Sequence, residues 1–105
     1  MARVAAVVPD LFFASKVKET LTAAGHEVEL VAAGAPVVAD VLVVDLDAAG
    51  AEVEAPGTPR LGFYSHVDVE TRERAEAAGF ELVVPRSRMA REMPALVTRL
   101  LGSSP

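Results

Sequence analysis

The sequence predicts a three-layer α/β fold on a five-stranded parallel sheet. Short apolar runs alternate with helical segments along the chain. The run Val41-Leu42-Val43-Val44 is continuously apolar and mostly β-branched, as a strand buried on both faces requires. Two stretches, Ala23-Ala24-Gly25-His26-Glu27-Val28 and Ala77-Ala78-Gly79-Phe80-Glu81-Leu82, share the order helix end, glycine, strand. That order is the return leg of a β-α-β unit, with glycine just past the helix.

The first strand is expected over residues 3–8 and the first helix over 11–24. Phe13, Val17, Leu21 and Ala24 form its buried stripe, Asp10 its N-cap and Gly25 its C′ residue. Phe12 cannot share that stripe, so it belongs at the rim of the site or against a thinly covered sheet face. Strands follow at 27–31, 41–46, 60–64 and 81–84. A helix is expected over 69–78 after Asp68, and the last helix over 88–101 after Ser87 as its cap. Pro94 should kink this helix or split off its first turn. The connections at 32–40 and 48–59 are too short or too rich in Gly and Pro for full crossover helices. The second and third helices are therefore short or missing.

At 105 residues and 51 % hydrophobic content, the chain fits a single domain, taken as 1–102 with 103–105 as a tail. The absence of cysteine excludes disulfides and thiolate metal sites. His26 and His66 give no zinc spacing. A net charge of −5 with scattered basic residues argues against nucleic-acid binding. The short apolar run at the N-terminus fits neither a signal peptide nor a membrane span, which leaves a cytoplasmic protein as the expectation. There is no G-x-G-x-x-G, P-loop or G-x-S-x-G motif.

Candidate chemistry gathers where strands end. Asp10 follows the first strand, Asp45 and Asp47 the third, and Ser65-His66 the fourth. Open α/β sheets bind ligands outside the carboxyl ends of their strands. Asp10 and Asp45, brought together, would repel unless a cation intervened. Mg²⁺ and Arg86 are the two candidates. Arg86 and Ser87, at the start of the last helix, could instead hold an anion. An ion pair of Arg86 with Asp10 or Asp45 is the preferred reading.

With a proline-bearing turn after the fifth strand, these placements resemble the receiver domain of bacterial response regulators over nearly the whole chain. The resemblance implies a flavodoxin-like fold with strand order 2-1-3-4-5. It places Asp45 on the phospho-acceptor and Asp10 on one of two Mg²⁺-binding acids. Asp47 falls where a backbone carbonyl joins the metal, and Ser65 on the hydroxyl that contacts the phosphoryl group. Three positions depart from the pattern. Pro9 replaces the other acid, Pro85 (followed by Arg86) replaces the lysine, and Leu82 replaces the switching aromatic residue. The chain is thus closer to a degenerate, pseudo-receiver branch. By analogy with the family's cis-proline, Val84–Pro85 is expected to be cis.

The function expected is a receiver-like signalling or interaction module that binds a protein partner, with no catalysis of its own. The resemblance puts its contact surface on the helix after the fourth strand, the fifth strand and the last helix, with Arg72, Arg74, Arg91 and Arg99 exposed. Phosphorylation of Asp45 with Mg²⁺ is a subsidiary expectation, and a homodimer could cover the thin sheet face. The alternative is a small-ligand or anion-binding protein, or a minor enzyme, using the edge around Asp45, Ser65, His66 and Arg86.

Overall fold

Strand β3 (Val41–Asp45) is buried along its whole length at the centre of a parallel sheet. A computed structural model describes residues 2–32, 37–49, 57–65 and 69–102. In chain order the other elements are β1 (Arg3–Val7), α1 (Leu11–Ala23), β2 (Glu27–Leu30), α2 (Leu46–Ala49), β4 (Arg60–Tyr64), α3 (Val69–Ala77), β5 (Leu82–Pro85) and α4 (Arg86–Gly102), with α2 following β3. The strand order is β2-β1-β3-β4-β5, every pairing parallel. This is the flavodoxin-like arrangement. The helix after β3 is reduced to four residues, and none appears between β2 and β3 among the described residues.

Side chains alternate across the sheet. Val4, Ala6, Val41, Val43, Leu61 and Phe63 face the larger core, which α1 and α4 close. Ala5, Val7, Leu42 and Val44 face a smaller core with Leu46, Ala75 and Phe80. By the same alternation, Asp45 at the end of β3 lies on the face of Val41 and Val43, beneath α1 and α4.

The glycine echo has one geometry. Gly25 and Gly79 both have φ +94°. His26 N donates to Leu21 O (3.0 Å) and Gly25 N to Thr22 O (3.0 Å); Phe80 N donates to Ala75 O and Gly79 N to Glu76 O (both 3.1 Å). Each helix therefore ends in the same Schellman motif, in which glycine takes the left-handed conformation.

Several expectations are corrected. Leu46 opens α2 instead of ending β3, and Ala14 replaces the exposed Ala24 on the buried stripe of α1. Phe12 is 91 % exposed at the start of α1, its amide bonded to Asp10, which fits the expected place at the rim and not the one against the sheet face. The described residues contain no cis peptide bond, so Val84–Pro85 is trans. Pro85 ends an edge strand in register with Tyr64, where the backbone continues extended and the missing N–H is tolerated. Helix α4 starts at Arg86 directly from the strand, which makes Ser87 its second residue and not its cap. Pro94 breaks α4 as expected: Glu92 has non-helical φ −121° and ψ 16°. The proline ring would clash with the Ala90 carbonyl in an unbroken helix, whereas it fits the first turn of the segment after Glu92. Asp68, expected as a cap, lies outside the described residues.

Candidate functional site

The C-terminal ends of β1, β3 and β4 bring the acidic residues to one edge. Asp10 ends the turn after β1 in extended backbone (φ −67°, ψ 111°) and caps α1. Its Oδ1 accepts from Phe12 N at 3.0 Å and Phe13 N at 3.4 Å. Its Oδ2 accepts from Arg86 Nη2 at 2.6 Å. The Arg86 guanidinium also lies over the Phe13 ring, 4.3 Å from its centroid, and Phe13 packs on Phe63 at 4.9 Å. Phe63 is fully buried and in register with Asp45. An aromatic stack from the sheet thus props the guanidinium over the acidic edge.

Asp45 is the one buried charged residue among those described, at 4 % exposure. Its Oδ1 accepts from Asp47 N at 3.1 Å, so the carboxylate caps the short helix α2. Asp47, two residues on, turns its Oδ2 to Ser65 N at 2.5 Å and ties α2 to the end of β4. The edge is therefore wired through backbone amides. Arg86 answers Asp10 directly, and its charge also reaches Asp45.

The surroundings push the two aspartates' pKa values in opposite directions. The hydrogen bond from Arg86 holds the Asp10 carboxyl below its usual range, the Phe13 and Phe12 amides acting the same way against a smaller effect of burial. Burial pushes Asp45 up, and the negative charge of Asp47 adds to that. The Asp47 and Ala48 amides and the charge of Arg86 pull Asp45 back only in part. The signs for stability follow. Asp10 contributes stability that is present above its unfolded value of 3.8 and lost as pH falls through its lower folded value. Asp45 carries a cost that is absent below 3.8 and complete once pH has risen past its higher folded value.

The residues present do not fit Mg²⁺. Pro9 offers no side-chain ligand. Both Asp10 oxygens already accept from protein donors, as do one oxygen of Asp45 and one of Asp47. Among the described residues, no group of three His, Cys, Asp or Glu side chains is placed to hold a metal ion. Asp10 reaches this edge already bonded to helix amides and a guanidinium, and Asp45 to a helix amide, while Asp47, expected to contribute its backbone carbonyl, gives its carboxylate to the Ser65 amide.

Of the anion-contact set, Arg86 faces an acid, Ser65 contributes its backbone N–H to Asp47, and Ser87 is exposed on the first turn of α4. His66 lies outside the described residues. Two open cavities of about 630 and 330 Å³ lie around Arg3 and Glu27, at the opposite edge of the sheet; Asp10, Asp45 and Arg86 line neither. On the expected contact surface, Arg72 pairs with Glu76 at 3.3 Å, Arg74 with Glu70 at 2.8 Å and Arg91 with Glu92 at 3.4 Å. Arg99 is exposed and makes no ion pair among the described residues. Sequence reasoning missed the cap that Asp45 makes on α2. The signal was available in Asp45-Leu46-Asp47, an acid at the strand end and another in the first turn, as helix starts favour.

No protein-family model matches the chain, and no curated protein matches it in sequence. Solved structures share its fold. NtrX from Brucella abortus in complex with ADP superposes with a TM-score of 0.81 at 18 % identity, covering 98 % of this chain and 26 % of NtrX. The chain thus spans about a quarter of that protein. The BeF3-activated DrrB receiver domain gives 0.81 at 23 % identity, covering 97 % of this chain and 98 % of DrrB's. The non-phosphorylated HemR receiver domain from Leptospira biflexa gives 0.78 at 17 % identity, covering 100 % and 98 %. The chain is a small receiver-like domain in its fold: the response-regulator receiver architecture over nearly its full length.

Proposed function

We propose that this domain is a cytoplasmic signalling module that works by docking on a protein partner, without catalysis and without phosphoryl transfer to Asp45. The observation that carries this reading is the state of the acidic edge. Asp10 is bound to Arg86, and Asp45 is buried as the cap of α2. An edge committed in this way favours a fixed scaffold over a reactive centre. No helix among the described residues is long and apolar enough to cross a membrane.

The docking face is formed by α3, β5 and α4. Strand β5 is an edge strand whose Leu82 and Val83 are only partly covered. Helix α3 buries a single residue, Ala75, and most of its other residues are exposed. Arg99 adds an exposed cation on α4. A photo-crosslinker placed at Arg99 in the native host is expected to give one discrete protein adduct. The same group at Glu19, exposed on α1, is expected to give none. An adduct of twice the chain's mass would identify a second copy as the partner. Equal labelling from both positions, or none from Arg99, would contradict the assignment of the face.

A further inference from the structure

We propose that Arg86 is the resident cation of the acidic edge and keeps divalent metal ions out of it. Two carboxylates, Asp10 after the turn that follows β1 and Asp45 at the end of β3, come to this edge, and the Arg86 charge acts on both. A carboxylate that leaves solvent calls for a countercharge or hydrogen-bond donors. Here the chain supplies the countercharge covalently. The guanidinium is anchored on Asp10 Oδ2 at 2.6 Å and rests on Phe13 at 4.3 Å. Phe13 is itself supported by Phe63, the register partner of Asp45. The planar, permanently charged head is thus held by an ion pair on one side and a cation–π contact on another.

Mg²⁺ takes near-ideal octahedral oxygen coordination and gives up its waters reluctantly. To enter this edge it would have to remove Arg86 from Asp10. It would then gain one carboxylate that also caps α1, beside a proline where a second acid would help. Repulsion between the guanidinium and the ion opposes entry further. A built-in cation also makes the state of the edge independent of metal supply. The metal titration reads this edge alone, whichever protein docks on the α3–β5–α4 face, so the two proposals can fail separately.

The test is a Mn²⁺ titration of the ¹⁵N-labelled protein, read as paramagnetic broadening of backbone amides. In the wild type, the amides of Asp10, Asp45, Asp47 and Ser65 are expected to stay sharp at millimolar Mn²⁺. Arg86→Met keeps an apolar stem on Phe13 and removes the charge. It is expected to gain saturable broadening at the amides around Asp10, the carboxylate that Arg86 would release, with affinity for the ion raised about tenfold or more. Arg86→Gln provides a second uncharged variant should Arg86→Met fold poorly. Site-specific broadening in the wild type would overturn the proposal. So would a folded, uncharged variant whose amides stay as sharp as those of the wild type.

Discussion

Phe63→Ala is expected to lower the unfolding free energy by about 3–5 kcal/mol, the range for removing a large aromatic side chain from a packed core. Phe63 has no exposed surface and sits on β4 in the larger core. Its ring also supports Phe13 at 4.9 Å, and Phe13 supports Arg86 at 4.3 Å. The truncation would therefore leave a cavity beneath the acidic edge and remove the prop under the guanidinium. Against a typical total of about 5–15 kcal/mol, such a loss would leave the domain marginally folded. Urea unfolding of wild type and variant measures it. A loss below about 1 kcal/mol would mean that the stack does not bear on the core as described.

Gly62→Val is expected to cost about 3 kcal/mol, the upper part of the usual range for overpacking. Gly62 lies on β4 opposite Val44, on the face of the smaller core. A Cβ built there would meet Leu46 Cδ1 at 2.8 Å and Phe80 Cδ2 at 2.9 Å. Both neighbours are buried in the smaller core, so making room means pressing on that core. Leu46 is also the first residue of α2, directly after Asp45. Pushing it away would displace the amides that hold the Asp45 carboxylate. Amide exchange at Asp47 should accelerate along with the loss of stability in denaturant. A valine tolerated at wild-type stability would show that this close approach of strand and helix is not needed.

The fold was readable because each of its signals is local. A continuous apolar run marked the central strand, and glycines after alanines marked the two Schellman ends. The strand ends also located the acidic edge. The wiring of that edge was not readable, because it depends on which donor each carboxylate reaches in space. Asp10 meets Arg86 across 76 positions of sequence, a contact that no periodicity encodes. Asp45 looked free of capping duty only while residue 46 was counted as strand; once Leu46 begins a helix, the acid before it becomes a cap. Ser87 failed as a cap for the converse reason. Pro85 ends β5, and the helix starts at once, leaving no loop residue to separate strand from cap. The trans bond before Pro85 likewise reflects the edge strand it completes and not the turn that analogy suggested.

The most direct measurement is a beryllofluoride titration in millimolar Mg²⁺, with beryllofluoride standing in for a phosphoryl group on the Asp45 carboxylate. Amide spectra of the wild type are the readout, and Asp45→Asn is the control. If the edge is committed to Arg86 and to the cap of α2, the Asp45, Asp47 and Ser65 signals stay in place, and wild type and control respond alike. A saturable, Mg²⁺-dependent shift of those signals that disappears in Asp45→Asn would contradict the account.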